Sequence, residues 1–204
     1  MFLSRLVFPL ATPAAQRLLA DPYALHRALM AAFPPRAGRV LFRIEPPSRA
    51  AADACILVQS TSEPAWGPDR LPQGAAAEVK RFDPAFRAGQ RLRFRLRANP
   101  TLRKKVPDRP GGIRVGLVGE ERLRTWFEGK GRAAGFRPDG FFTINEGQVA
   151  GRKPDSRPLT FQSVRFEGVL TVTDPKRFAA ALTSGIGSAK AFGFGLLSVA
   201  RAGP

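Results

Sequence analysis

The sequence predicts an α+β protein built from two tandem ferredoxin-like (RRM-like) βαββαβ domains. The chain has 204 residues and is 44% hydrophobic, which is enough to form the cores of two small domains. Strand and helix patterns follow in the order strand, helix, strand, strand, helix, strand, and this order recurs in the second half. We place the first domain at 1–98, a basic linker loop at 99–112 and the second domain at 113–204.

The first half of the chain supplies the elements of the first domain. A helix is predicted at 21–33, because Asp21 can cap its N-terminus, Pro22 suits the first turn and the prolines at 34–35 end the pattern. A weaker helical pattern covers 75–85. Apolar or alternating runs predict strands at 2–9, 39–45, 54–61 and 90–97.

The second half repeats this order less clearly. Residues 99–112 are rich in proline, glycine and basic side chains, so they predict a loop. The elements expected after it are a strand at 113–118, a helix at 120–134, strands at 140–146 and 163–172, a helix after Asp174 and a last strand at 195–200.

The chain has one histidine and one tyrosine, and they lie three residues apart on the helix at 21–33. At 3.6 residues per turn, Tyr23 and His26 share one face with Arg27, and the apolar residues share the opposite face. We therefore expect the histidine to lie away from the core. The apolar stripe consists of Leu25, Ala28, Leu29 and Ala32.

The charge of the chain points to a polyanionic partner. Lysine and arginine total 33 against 16 aspartate and glutamate, a net charge of +17 that is spread over both halves. The single cysteine, Cys55, excludes a disulfide scaffold and a cysteine-ligated zinc. No apolar stretch is long enough to span a bilayer, so a soluble cytoplasmic protein is expected.

Two basic segments and one strand are candidates for contacts with phosphate. The segments at 99–112 and 149–158 are either solvated loops or phosphate-binding loops, and the net charge favours the second interpretation. In the strand at 91–97 four arginines share one face, and their repulsion requires a bound anion or acidic side chains from elsewhere. The candidate loop residues are Arg103, Lys104, Lys105, Arg152, Lys153 and Arg157.

The segment 185–195 is rich in glycine and carries one lysine. It follows a helix and precedes a strand, which is the reverse of the order in a P-loop or a dinucleotide-binding motif. It is either a helix C-cap followed by bends or a cradle in which backbone N–H groups hold a phosphate. The candidate binding residues are Gly185, Gly187, Lys190 and Gly193.

Six motifs in order along the chain resemble the CasE (Cse3) family of CRISPR-associated endoribonucleases. Each motif is weak alone, but the six together are specific. They are MFLSR at 1–5, YALHRAL at 23–29 with FP at 33–34, LVQS at 57–60, FRLRANPT at 94–101, VRFEGVLTV at 164–172 and GIGSAK at 185–190 with GFGLLS at 193–198.

The resemblance implies a tandem ferredoxin-like fold and metal-independent cleavage of the CRISPR repeat RNA at the 3′ side of its hairpin. It also implies that the protein stays bound to the product as a subunit of the Cascade complex. The catalytic histidine and tyrosine of the family match His26 and Tyr23, and its glycine-rich motif matches 185–195. We expect the repeat RNA and other Cascade subunits as partners, with no membrane and no direct DNA contact.

The residues present suit RNA cleavage without a cofactor. No spacing typical of metal ligands occurs, so we expect the substrate 2′-OH to act as the nucleophile and to leave 2′,3′-cyclic phosphate and 5′-OH ends. An imidazole with a pKa near 6.5 can serve as acid or base, and the sequence leaves open which role His26 takes. Tyr23 is expected to orient the reacting groups, and Lys190 or Arg27 to stabilise the phosphorane.

Other hypotheses fit the same composition. A non-catalytic RNA-binding scaffold, such as a ribosome-type assembly protein, would have the same charge and fold but gives no reason for Tyr23 and His26 to share a face. A Cascade-like subunit that has lost its activity is a further alternative. Cleavage by the native protein, and its loss in His26→Ala, separates the enzyme from both.

Overall fold

Two four-stranded antiparallel sheets and one two-stranded ribbon make up the β-structure of the residues that the structure describes. They are described from a computed structural model that covers residues 1–47, 52–107, 109–152 and 157–203. Both sheets have the strand order of a ferredoxin-like domain, so the predicted fold class is confirmed. Within these ranges no helix is both long and apolar enough to cross a bilayer.

The first domain has the sheet order β2-β3-β1-β4, with two helices on one face. Leu6, Phe8 and Ile56 point from the sheet into its core. Trp66 also packs there, and its indole Nε1 donates a hydrogen bond to Ser4 Oγ at 2.9 Å. The elements are β1 (Phe2–Pro9), α1 (Pro13–Ala20), α2 (Pro22–Met30), β2 (Val40–Ile44), β3 (Asp53–Ser60) and β4 (Ala76–Arg81).

The prediction of a helix at 75–85 is wrong, because Ala76–Arg81 form strand β4. The strand pairs with β1 from Ala76 opposite Val7 to Arg81 opposite Phe2. Backbone pairing with an existing strand outweighs the weak helical preference of this alanine-rich segment. The first domain therefore has no second ferredoxin helix among the described residues between β3 and β4, and Val79 stays 43% exposed.

The second domain contains a complete βαββαβ unit with the sheet order β10-β5-β9-β8. Phe127, Phe136 and Phe166 are fully buried in its core. A ribbon of two strands is inserted between the first strand and the first helix. The elements are β5 (Arg91–Ala98), β6 (Thr101–Val106), β7 (Arg109–Gly116), α3 (Glu120–Ala134), β8 (Phe136–Gly151), β9 (Leu159–Val172), α4 (Pro175–Ser184) and β10 (Leu197–Arg201).

Strand β5 belongs to the second domain, which corrects the boundary predicted at residue 98. It pairs with β9 and β10, and Leu92, Phe94 and Leu96 are buried in the second core. Of the predicted linker loop 99–112, residues 101–106 and 109–112 are consequently strands of the β6–β7 ribbon. Of the strand expected at 113–118 as the first of the second domain, residues 113–116 belong to the same ribbon, because they pair with β6.

The arginine face of β5 is neutralised by carboxylates of the chain itself. Arg95 forms ion pairs with Glu45 at 2.7 Å and Glu167 at 2.9 Å, and Arg97 pairs with Glu146 at 2.6 Å. Of the two explanations that the sequence left open, acidic side chains from elsewhere account for most of this face. An RNA contact is therefore not needed to explain it.

Arg43 on β2 forms the main polar contacts between the first domain and the second. Its side chain is almost fully buried and donates hydrogen bonds to the carbonyls of Arg95 at 3.0 Å and Leu196 at 3.2 Å, and to Ser198 Oγ at 2.9 Å. Its charge is balanced by Glu45 at 2.6 Å. Burial lowers the pKa of Arg43, an effect that Glu45 opposes. The interface is thus specified by polar contacts as well as apolar ones.

Candidate active site and nucleic-acid cleft

Helix α2 presents Tyr23 and His26 away from the first core. Its N-terminus is fixed by Asp21, whose carboxylate accepts hydrogen bonds from two backbone N–H groups of the first turn, at 2.9 and 3.1 Å. Leu25 and Leu29 are buried in the first core. The helical period then places the tyrosine and the histidine on the other side, which confirms the faces predicted from the sequence.

His26 lies between aromatic rings from two elements. Its ring centroid is 6.1 Å from that of Tyr23, with planes 21° apart, and 6.1 Å from that of Phe42 on β2. The Tyr23 ring lies in turn 5.7 Å from Phe192 of the second domain. Both site residues are half-buried. The histidine therefore stands at the junction of the two domains, a common location for a functional site.

The glycine-rich segment connects α4 to β10 and is held by both domains. Gly185 ends α4 with φ of +76°, and a Cβ there would lie 2.8 Å from Leu41 of β2. The backbone of Gly195 pins the other end, since its N–H donates to the Arg97 carbonyl and its carbonyl accepts from Ile186 N–H, both at 2.8 Å. The segment needs glycine for its shape and its close packing.

A cavity of about 630 Å³ opens beside this segment, and its walls carry five cationic side chains. Arg103 and Arg114 lie directly opposite each other on the β6–β7 ribbon, so their charges repel. Among the residues described, no carboxylate forms an ion pair with any of the five. A bound polyanion would relieve this repulsion. The five are Arg39, Arg103, Arg114, Lys130 and Lys190.

Lys190 stands at the wall of this cavity, in a 3₁₀ turn that covers Lys190–Phe192. Its pKa is lowered, first because the ammonium group is partly desolvated and further because Arg39 and Lys130 repel its charge. Placing a phosphate in the cavity would oppose this repulsion and favour the charged form of the lysine. The group is therefore suited to stabilise a phosphate that gains negative charge.

The structure brings some of the predicted site residues together and leaves others apart. Tyr23 and His26 do not line the cationic cavity themselves: the Tyr23 ring contacts Phe192, which lines it, and His26 lies next to Tyr23. Arg27, Lys104, Lys105, Arg152 and Arg157 are exposed and do not line the cavity, and Lys153 lies outside the described residues. Gly187 lines the cavity, Gly185 ends α4 and Gly193 packs against Phe42.

Sequence reasoning missed three of the cations and two polar groups of the cavity. Arg39 precedes β2, and Lys130 lies one helical turn after Trp126 on α3, with its ammonium 5.6 Å above that indole ring. Arg114 could have been found if β6 and β7 had been recognised as paired strands that place it opposite Arg103. The two polar groups are Asn99 and Ser188, whose side chains are 3.4 Å apart.

The arrangement supplies proton transfer and positive charge. One phenol contacts the wall of a cavity whose cations can hold a phosphodiester, and one imidazole lies beside that phenol. These are the groups that general acid–base cleavage of RNA needs. Within the described ranges no three His, Cys, Asp or Glu side chains are grouped so that they could hold a metal ion. Metal-independent cleavage stays a prediction.

Comparison with known proteins gives concordant matches over nearly the whole chain. A family model described as CRISPR associated protein matches residues 1–201. The CRISPR-associated endoribonuclease Cse3 of Thermus thermophilus is 39% identical over 222 residues, which cover 98% of this chain and 100% of the relative. The CRISPR system Cascade subunit CasE of Escherichia coli is 33% identical over 212 residues, with 98% and 99% coverage. A solved structure of Cse3 bound to a 19 nt RNA superposes with a TM-score of 0.87, at 39% identity and with 98% and 100% coverage.

Proposed function

We propose a function that follows from the family to which this chain belongs, the CRISPR associated protein family. It is an endoribonuclease that binds the hairpin of the CRISPR repeat, cuts the precursor RNA at the 3′ side of the stem and remains in a Cascade complex. The observation that carries the proposal is the single histidine, 6.1 Å from the single tyrosine, whose ring contacts Phe192 in the wall of a cavity with five cationic side chains.

The reaction proposed is an attack of the substrate on itself. The 2′-OH next to the cut loses its proton and its oxygen bonds to the adjacent phosphorus. The bond from phosphorus to the 5′-oxygen then breaks, and that oxygen takes up a proton. The products are a 2′,3′-cyclic phosphate and a 5′-OH. His26 moves one of the two protons, and Tyr23 orients the reacting groups through its hydroxyl.

Positive charge on the cleft walls has two roles in this proposal. It holds the phosphates of the hairpin, whose deep major groove is poorly accessible to side chains, so recognition depends on shape and charge. It also stabilises the additional negative charge of the phosphorane, for which Lys190 is the best placed of the predicted residues because it lines the cavity beside Phe192.

The test is a cleavage assay with the repeat RNA of the organism, in excess EDTA. We expect the RNA to be cut and to carry a cyclic phosphate. The same RNA with one 2′-deoxy nucleotide at the cut should stay intact, and His26→Ala should bind the hairpin but not cut it. Cutting of the deoxy substrate contradicts the 2′-OH mechanism. Binding without any cutting by the native protein supports the scaffold alternative.

A second substrate assigns the role of the histidine. When sulfur replaces the 5′-oxygen at the cut, the leaving group departs without being protonated. If His26 is the general acid, this substrate restores cleavage by His26→Ala. If His26 is the general base, the variant stays inactive on both substrates.

Assembly with other subunits is the last part of the proposal. The family relationship favours a complex in which the protein keeps its cut RNA, and the cytoplasm, where the precursor transcript is made, as the place of action. Co-purification of the tagged protein with RNA that ends in the repeat hairpin and with other Cascade subunits is the expected result. Recovery of the protein without RNA would contradict retention.

A further inference from the structure

The ring of Phe192 joins three segments of the chain at the cleft. The residue is only 3% exposed, and its ring centroid is 5.7 Å from that of Tyr23 on α2 and 4.5 Å from that of Phe161 on β9. Gly151 at the end of β8 has no room for a Cβ, because the Phe192 ring occupies that space. Through its own backbone, Phe192 is also part of the turn that carries Lys190.

The turn around Phe192 needs such an anchor. Ala189 has φ of +61°, a conformation unfavourable for alanine and found at no other non-glycine residue of the described ranges. Gly193 follows the turn with φ of +81°. Two backbone hydrogen bonds close the turn, from Phe192 N–H to the Ala189 carbonyl at 2.9 Å and from Gly193 N–H to the Lys190 carbonyl at 3.4 Å. The buried ring supplies the packing that holds this backbone in place.

We infer that Phe192 is a positioning residue of the cleavage reaction, and this inference rests on the proposed function. Its ring fixes the distance between the face of α2 that carries Tyr23 and His26 and the turn that carries Lys190. Since the ring is buried, it acts through these neighbours. Loss of its volume should let the two halves of the site drift apart while the cations of the cleft still bind RNA.

The test compares two identical substitutions of buried phenylalanines. Phe192→Leu removes part of the ring at the cleft, and Phe178→Leu does the same in the second core, against Phe86 and Phe136. In single-turnover assays at saturating protein, we expect Phe192→Leu to cleave about 10- to 100-fold more slowly, with a Kd for uncut RNA within about 3-fold of the native value. Phe178→Leu should cleave at the native rate, and thermal unfolding checks that both variants are folded.

A second variant tests the same contact from the other side. Gly151→Ala places a methyl group against the Phe192 ring, so it should slow cleavage as well. Combined with Phe192→Leu, which makes room for the methyl group, it should add little further loss, because both changes disturb one contact.

Three outcomes would overturn the inference while the native protein still cuts RNA. These are a native cleavage rate in Phe192→Leu, an equal loss of rate in Phe178→Leu, and multiplicative losses in the combined variant. If the native protein itself does not cut, the proposed function fails and not this assignment alone.

Discussion

Replacement of Arg43 by methionine should destabilise the chain strongly. The change removes hydrogen bonds to two carbonyls, to Ser198 Oγ and to Glu45, at 2.7 to 3.2 Å. Of the groups left behind, Glu45 keeps its ion pair with Arg95 at 2.7 Å, and the Arg95 carbonyl still accepts a hydrogen bond from Ser198 Oγ at 3.3 Å. The carbonyl of the buried Leu196 loses the donor that Arg43 supplied. Loss of the charge-assisted hydrogen bonds costs about 1.5–3 kcal/mol, and a buried carbonyl left without a donor costs about 1–3 kcal/mol. Because the variant no longer has to desolvate the guanidinium, part of this cost is offset, and we expect the free energy of unfolding to fall by about 3 kcal/mol.

The two tryptophans make this loss measurable in each domain. Trp66 packs in the first core and Trp126 against the second, so urea unfolding followed by fluorescence in variants with one tryptophan reports on each. Arg43→Met should lower the free energy of unfolding in both reporters. The conservative control Arg93→Met, at an exposed arginine of β5, should change it by less than about 0.5 kcal/mol. A loss below about 1 kcal/mol for Arg43→Met would refute this stabilising role of the interface contacts.

Two further predictions concern RNA binding. Burial and the repulsion of Arg39 lower the pKa of Lys190, so this lysine loses its charge at a lower pH than an ordinary lysine does. RNA affinity should therefore begin to decline at that lower pH. Arg39→Gln removes a repelling charge and should move this decline to higher pH; a shift to lower pH in the measured Kd would contradict the argument. Replacing Arg103 and Arg114 by glutamine should reduce the slope of log K against log salt by about 1–2, whereas Arg93→Gln should leave it unchanged. If the double variant keeps the salt slope of the native protein, neither arginine contacts a phosphate.

Elements that depend on residues close together in the sequence were predicted correctly, whereas elements and contacts that depend on distant residues were not. Helix α2 was predicted because Asp21 and Pro22 define its start locally. Strand β4 was missed because its partner β1 lies far away in the sequence. For the arginines of β5 the sequence left two explanations open, a bound anion and acidic side chains from elsewhere, since their carboxylate partners, such as Glu45, come from other elements.

The candidate site shows the same difference between local and distant residues. Tyr23 and His26 lie one helical turn apart, so the period alone puts them together. The cavity is made of side chains from the segment before β2, the β6–β7 ribbon, α3 and the glycine-rich segment. Arg39, Lys130 and Lys190 lie together only because of tertiary packing, which no local sequence pattern predicts.

The order in which the parts of the site leave the ribosome has a consequence for the cell. Tyr23 and His26 are synthesised long before Lys190 and the strand β10 that pairs with β5. A nascent chain therefore holds the histidine for some time without the turn that completes its surroundings. Such a chain should be inert towards cellular transcripts, and nuclease activity should appear only after β10 has been synthesised.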